Sequence, residues 1–304
     1  MRQYAEQLIQ QGQADRTAYE IVESLTTKVG QRLAGTEAEA RAREWALETL
    51  RSLAFANVRE EPFKVWHWQR GHESVQVLSP YPQELHVTAL GHSVATAKEG
   101  VTAEVVRFET LDDLSEASPE LVRGKIAFVD EYTTRTQDGT GYGMAVRKRS
   151  GAAAIAGKLG AVAALIRSVG TDHHRFPHTG VMRYPDDVKA IPAAALAAPD
   201  ADQLQRMLKL GPVTLRMKLE SWGGGRKQDA WTGNPDQLAD SGNIIAEVPG
   251  ETDEIVLLGA HLDSWDLGTG AIDDGAGVGI IIAAAKLIQQ LPVKPKRTIR
   301  VVLF

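Results

Sequence analysis

The spacing of apolar residues predicts a chain in which helices alternate with short buried strands. Apolar side chains recur at helical intervals over 37–53 and again over 277–291. Thr36 and Glu39 flank the start of the first of these segments in the pattern of a capping box. Apolar runs bounded by turn-forming residues predict strands at 58–65, 72–78, 101–108, 124–129, 161–166, 243–248, 254–258 and 297–304. The alternation is typical of an α/β fold.

Changes of texture along the chain predict three segments. Residues 1–97 form the first, and short strands with an Ala-rich helix predict a separate small α/β or β-rich module over 98–222. The stretch 221–241 is rich in Gly, Asp, Asn and Pro and has no periodic apolar face, which predicts a linker. Buried strands and a helix return within 223–304. The middle module is therefore predicted to be an insertion in a larger α/β domain.

Composition excludes several classes of partner and metal ligand. The 304 residues include 34 Lys and Arg against 39 Asp and Glu, and the basic residues are scattered, so no nucleic-acid partner is expected. The absence of cysteine leaves His and carboxylates as metal ligands. No apolar run approaches the ~20 residues of a membrane helix, so no membrane contact is expected. Residues 1–25 have a polar amphipathic pattern rather than that of a signal peptide, which leaves the compartment open.

The segment RTIRVVLF, residues 297–304, predicts a buried strand with no turn or cap after it. The chain is therefore expected to stop within a domain. Such a strand would lack its later neighbours and expose an apolar sheet edge, which predicts marginal stability.

Residues with metal chemistry follow the strand predicted at 254–258. Side chains at strand ends of open α/β sheets face ligand-binding crevices, so His261 is a candidate metal ligand. Asp263 shares a face with His261 in an extended chain and can accept the other imidazole N–H. Intervening glycines allow a tight loop to return Asp273 to His261, where its carboxylate could bridge two Zn²⁺ ions about 3.5 to 4 Å apart. Asp273 and Asp274 alone are more typical of a helix N-cap, so the prediction depends on the combination.

The segment HLDSWDLGTGAIDDGAG, residues 261–277, resembles the co-catalytic zinc exopeptidases of peptidase family M28. The likeness extends through KLGA at 158–161, LIRSV at 165–169, PHTG at 177–180 and PKRT at 295–298, and it covers most of the chain. It implies a zinc-aminopeptidase-like mixed sheet flanked by helices, incomplete in this chain. It also implies that the inserted module is a protease-associated (PA) domain.

The resemblance implies roles for four residues. His261 matches a ligand of one of two zinc ions, Asp263 the catalytic carboxylate that orients it, and Asp273 the bridging ligand. Asp274 matches a position where the family often has a cis peptide. The implied function is a zinc-dependent exopeptidase that hydrolyses terminal bonds of dipeptides or short peptides with metal-activated water. Aminopeptidase and carboxypeptidase specificity both stay open.

The family pattern continues with a Trp-x-x-Glu-Glu segment, which supplies the general base and a ligand, and with a later Asp and His. This sequence contains none of them, so the chain alone is predicted to be inactive. That leaves two other functions open: a non-catalytic interaction protein built from a PA module and a peptidase-like scaffold, or a one-zinc cyclase on the same fold. Relatives are often secreted or periplasmic, and a homodimer is possible.

Other candidate residues have weaker support. Arg167 and His178 lie in the inserted module, which borders the cleft in relatives, and are candidate substrate contacts. His173, His174 and His178 lack a carboxylate at metal spacing and favour a solvated or cleft-lining loop. His67, between two tryptophans, is predicted to be a packed strand end. Ser264 lacks the G-x-S-x-G elbow of a serine nucleophile.

Overall fold

The computed structural model of the protein describes residues 2–224 and 237–304. Its helices are α1 (Arg2–Ala14), α2 (Thr17–Lys28), α3 (Glu37–Ser52), α4 (Leu111–Ser115), α5 (Pro119–Val122), α6 (Thr140–Lys158), α7 (Ala198–Leu208) and α8 (Ala276–Gln289). Its strands are β1 (Ala56–Trp66), β2 (Gln69–Ser79), β3 (Gln83–Leu85), β4 (Val87–Ala89), β5 (Val101–Phe108), β6 (Ile126–Val129), β7 (Ala163–Arg167), β8 (Ala193–Leu196), β9 (Thr214–Trp222), β10 (Leu238–Val248), β11 (Thr252–Ala260) and β12 (Arg297–Leu303). No helix in these ranges is long and apolar enough to span a bilayer.

The chain divides into two compact units. The first unit comprises Met1–His67 and Leu238–Phe304, and the second comprises Trp68–Gln237. The second unit is thus inserted in the first, but it begins about thirty residues before the boundary predicted at 98. The reason is strand pairing, because β2 is hydrogen-bonded along its length to β9 and so belongs with the second unit.

A four-stranded sheet in the order β1-β10-β12-β11 forms the centre of the first unit. β10 runs antiparallel to β1 and β12, whereas β11 runs parallel to β12, so the sheet is mixed as predicted. The apolar face of α3 packs into the core of this unit together with α2 and α8. That core includes Leu25, Trp45, Leu50, Ile244, Ile282, Val301 and Leu303.

The prediction that the strand at 297–304 forms an open sheet edge is wrong. β12 pairs with β10 on one side and with β11 on the other. The alternate side chains Ile299, Val301 and Leu303 are buried. β11 is the terminal strand of the sheet instead. An apolar run alone does not distinguish a strand with two neighbours from a strand with one, because both bury apolar side chains.

The second unit contains an eight-stranded mixed sheet in the order β3-β2-β9-β5-β6-β7-β8-β4. The strands β5, β6, β7 and β8 are parallel, and the remaining pairs are antiparallel. Every residue of β6, β7 and β8 is buried, which is usual for parallel strands. The Ala-rich helix predicted in this module is α6, which begins at Thr140, before the Ala-rich stretch. Sequence patterns do not indicate its first half, because that half has no clear apolar face.

The predicted linker at 221–241 mostly lies outside the described residues. Its described ends belong to strands, with Trp222 closing β9 and Leu238–Ser241 opening β10. The linker prediction is therefore wrong at both ends. Polar residues such as Asp240 are tolerated there because β10 pairs with β1, whose facing residues are themselves exposed.

The predicted capping box at α3 forms only in part. Thr36 Oγ1 accepts a hydrogen bond from Glu39 N at 3.3 Å, as expected of an N-cap. The Glu39 carboxylate instead contacts Arg43 Nε at 2.9 Å and accepts from Ser241 Oγ at 3.3 Å. Thr36 N donates to Leu33 O at 3.1 Å, so it needs no bond from Glu39.

Candidate metal centre

His261 lies at the carboxyl edge of the parallel strand pair β11 and β12. Phe304 N donates to Ala260 O at 3.1 Å, and Leu262 N donates to Phe304 O at 2.6 Å. These bonds continue the pairing past the end of β11 and fix the backbone on both sides of His261. The imidazole therefore lies where open α/β sheets bind ligands.

Both nitrogens of the His261 ring contact carboxylates. Nδ1 is 3.0 Å from Oδ1 of Asp263, and Nε2 is 2.9 Å from Oδ1 of Asp273. The His261 side chain is 36% exposed, whereas that of Asp273 is 83% exposed. Asp263 can thus hold the Nδ1 proton and fix the ring, which directs Nε2 toward the more exposed Asp273.

The charge of His261 depends on these two partners. Hydrogen bonding to Asp263 raises the pKa of His261 to about 9, burial opposes the shift, and Asp273 adds to it. Without a metal, the imidazole is therefore protonated at neutral pH and donates to both carboxylates. A metal ion at Nε2 must displace that proton.

Asp274 has a different environment from that of Asp273. Its Oδ2 accepts from His261 N at 3.2 Å, and its Oδ1 accepts from Gly277 N at 3.1 Å. The carboxylate therefore joins the end of β11 to the first turn of α8. The Asp273-Asp274 peptide bond is cis, which is the conformation that the family resemblance implies at this position.

The donor set matches the chemistry of zinc but is incomplete. An imidazole nitrogen and a carboxylate oxygen are usual zinc ligands, and a catalytic zinc generally has three protein ligands. Within residues 2–224 and 237–304, no group of three or more His, Cys, Asp or Glu side chains is arranged to hold a metal ion. His261 and Asp273 thus form half of a site.

Arg32 is the feature of this centre that sequence patterns do not indicate. Its side chain is fully buried, and Nε donates to Leu262 O at 2.5 Å. Nη1 donates to Thr269 O at 2.6 Å, and Nη2 donates to Gly270 O at 3.0 Å. The partners lie more than 200 positions away in sequence, so no local spacing could reveal the contact.

Arg167, a predicted substrate contact, lies at the end of β7 in the second unit. Its Nε donates to Asp130 at 2.8 Å, and Nη1 contacts Asp202 at 2.7 Å. The guanidinium lies 3.9 Å from the ring centroid of Tyr132, and its side chain is 4% exposed. These contacts favour a structural role, and the substrate contact stays a prediction.

The remaining predicted residues of the second unit lie in an exposed loop. His178 N donates to Ser168 Oγ at 2.8 Å, and its ring packs 5.7 Å from that of Tyr142. His173 Nε2 is 2.9 Å from Oδ2 of Asp202, and His174 is also exposed. The described geometry thus agrees with a solvated loop rather than a chelating cluster.

Comparison with known proteins links the first unit to one family. Residues 243–304, which include His261 and both aspartates of the Asp273-Asp274 pair, match the model of Peptidase family M28. Carboxypeptidase Q from Bos taurus is 38% identical over 298 residues, and that from Homo sapiens is 36% identical over 296. Each alignment covers 96% of this chain and 59% of the relative, so the chain spans about three fifths of these proteins.

Solved structures show the same relation. A Peptidase M28 precursor from Shewanella amazonensis is 52% identical, with a TM-score of 0.91 over 99% of this chain and 66% of that chain. A zinc aminopeptidase from Bacillus subtilis has a TM-score of 0.62 at 21% identity, over 95% of this chain and 61% of that chain. The second likeness is one of fold alone.

Proposed function

Because the chain belongs to peptidase family M28, we propose that it supplies half of the metal centre of a zinc-dependent exopeptidase. The observation that supports this most strongly is the 2.9 Å approach of His261 Nε2 to Asp273 Oδ1. An imidazole whose Nδ1 is held by Asp263 offers Nε2 as a ligand beside an exposed carboxylate. This arrangement has the chemistry of zinc ligands and no evident structural purpose, since Asp273 is 83% exposed.

Each residue then has a separate task. His261 would hold a zinc ion as a terminal ligand, Asp263 would keep the orientation of its ring, and Asp273 would supply the bridging carboxylate. Asp274 fixes the backbone of His261 and the start of α8. When bound by these residues, zinc would supply Lewis acidity for a peptide carbonyl and for water.

The proposed substrates are dipeptides or short peptides that lose a terminal residue. Support comes from the names of the relatives, which include carboxypeptidases and aminopeptidases. We also propose that the second unit, Trp68–Gln237, is a PA-type module. Its insertion between two segments of the first unit agrees with that assignment. A homodimer is compatible with the proposal.

The isolated chain is proposed to be inactive. His261 and Asp273 are two ligands. The described residues contain no group of three or more His, Cys, Asp or Glu side chains that could hold a metal ion. No Trp-x-x-Glu-Glu segment, which the family resemblance assigns to the general base and a ligand, occurs in the sequence. Zinc-dependent hydrolysis of a dipeptide panel by the purified chain would show that a complete site exists.

A chimeric protein tests the function directly. This chain replaces the region that it matches in the Shewanella amazonensis peptidase, and the remainder of that peptidase is kept. The chimera is expected to hydrolyse short peptides in the presence of zinc. His261→Ala and Asp273→Ala should each abolish hydrolysis, because each removes a ligand.

His174→Ala is the matched control, since it removes an exposed histidine of the second unit. It should leave hydrolysis unchanged. Full activity in the His261→Ala or Asp273→Ala chimera would overturn the proposal. A folded chimera that binds no zinc and hydrolyses nothing would favour the non-catalytic interaction protein.

A further inference from the structure

A buried arginine joins the two arms of the loop that contains the proposed metal centre. Leu262 directly follows His261, and Thr269 and Gly270 lie shortly before Asp273. The Arg32 guanidinium donates to the carbonyl oxygens of all three, at 2.5, 2.6 and 3.0 Å. The same side chain therefore contacts the loop on the His261 side and on the Asp273 side.

The backbone of Arg32 holds the same loop. Arg32 N donates to Ser264 Oγ at 3.1 Å, and Ser264 N donates to Arg32 O at 3.1 Å. Gly270 has φ +62°, and a Cβ there would lie 2.4 Å from Ser264 Cβ and 2.9 Å from Arg32 Nη1. The loop is thus closed around the guanidinium, with no space for a side chain at Gly270.

We propose that Arg32 is a positioning residue of the metal centre, which holds the two arms of the 262–270 loop at the separation that keeps Asp273 against His261. The inference rests on the proposed function, since it assigns a task at that site. Every side-chain hydrogen bond of Arg32 goes to a backbone carbonyl oxygen, so the proposed positioning acts through the backbone. Its charge also interacts with Asp263 and Asp274, and a lysine at position 32 would keep that charge.

The chemistry of the guanidinium suits this task. Its planar fork can donate in several directions at once, and here it reaches Leu262, Thr269 and Gly270 as well as Gly30 O at 3.0 Å. A lysine ammonium offers three donors from one point and cannot span the same carbonyls. A buried cation is costly unless its donors are satisfied, so these bonds also explain how Arg32 is tolerated.

A purely structural role makes a different prediction. A buried charged group that serves only packing can often be replaced without loss of the loop geometry. A positioning role requires that the loop loosen and the metal affinity fall while the sheet core stays intact. The test therefore compares amide hydrogen exchange beside the 262–270 loop with amide hydrogen exchange in β12.

Arg32→Lys in the purified chain is the first variant, because it keeps the charge but not the fork. Zinc affinity, measured by competition with a chromophoric chelator, should fall by about 10-fold to 100-fold, as for other residues that orient metal ligands. Amide exchange of His261 and Gly275 should accelerate about tenfold or more, while that of Val301 in β12 stays within about threefold.

Two further variants complete the test. Arg43→Lys is the matched control, since Arg43 lies in α3 and contacts Glu39 and Glu60 rather than the loop. It should change neither zinc affinity nor loop exchange. Gly270→Ala disturbs the same contact from the loop side and should reproduce the Arg32→Lys effects. This variant keeps the inference testable if Arg32→Lys does not fold.

Wild-type zinc affinity and loop exchange in Arg32→Lys and Gly270→Ala would overturn the inference. Equal acceleration at Gly275 and Val301 would also overturn it, because that result indicates general destabilisation. If the wild-type chain takes up no zinc at His261, zinc affinity is measured in the chimera instead, and the proposed function fails if the chimera neither takes up zinc nor hydrolyses peptides. The exchange comparison then still decides whether Arg32 positions the loop.

Discussion

Substitution of two adjacent aspartates is expected to affect different properties, stability for Asp274 and metal affinity for Asp273. Asp274 accepts two backbone hydrogen bonds, from His261 N at 3.2 Å and from Gly277 N at 3.1 Å. Asp273 has an 83% exposed side chain whose contact is with the His261 ring. Asp274→Ala should therefore destabilise the first unit, whereas Asp273→Ala should mainly remove a metal ligand.

The expected loss of stability in Asp274→Ala follows from the two hydrogen bonds that Asp274 accepts. Loss of a helix-capping side chain typically costs about 1 kcal/mol, and a second charge-assisted bond adds a similar amount when it is partly exposed. Asp274→Ala should thus cost about 2 kcal/mol. Asp274→Asn retains one carbonyl oxygen and should cost about half of that. Asp273→Ala should change the unfolding free energy by less than about 0.5 kcal/mol, since exposed ion pairs contribute little.

Amide hydrogen exchange at Val301 is a suitable assay, because this residue lies in the middle of the first unit's sheet and is fully buried. The exchange free energy reports the opening of that unit. Zinc affinity is measured on the same variants and should be lost in Asp273→Ala. Equal destabilisation by Asp273→Ala and Asp274→Ala would refute the division of tasks, as would full zinc affinity in Asp273→Ala.

Two further predictions concern stability. Burial lowers the pKa of Lys148 to about 8 from its ordinary value of 10.5. Between these values the unfolded chain binds more protons, so the stability of the second unit should rise with pH by up to roughly 3 kcal/mol. Urea titrations from pH 7 to 10 should show this rise in the wild type and not in Lys148→Met. In the first unit, Val301→Ala should lower the unfolding free energy by about 2 kcal/mol, because Val301 is fully buried. Val256 on β11 is 41% exposed, so Val256→Ala should cost less than about 0.5 kcal/mol. Similar costs for the two variants would contradict the strand order.

Sequence patterns predicted the parts of the fold that depend on local order. The α3 face was predicted because Ala42, Trp45 and Leu50 recur at helical spacing, and all three are buried. The pairing of His261 with Asp263 was predictable because Asp263 lies two positions after His261, on the same face of an extended chain. The approach of Asp273 to His261 could be predicted only from the family resemblance or from the glycines between the two residues.

Features that depend on distant contacts could not be predicted. The order of β11 and β12 depends on pairing across a helix, and apolar content is similar in both strands. Arg32 lies in an unremarkable stretch before α3, and its partners in the 262–270 loop are set by tertiary folding alone. The extent of the second unit likewise depends on β2 pairing with β9, which are far apart in sequence.

The most direct test of the proposed zinc half-site is a zinc titration followed by ¹⁵N NMR of the histidine side chains. The account predicts that zinc shifts the Nε2 signal of His261, while its Nδ1 proton stays bonded to Asp263. Asp273→Ala should weaken or remove the shift. Zinc binding at the exposed His173 and His174, with no change at His261, would contradict the account.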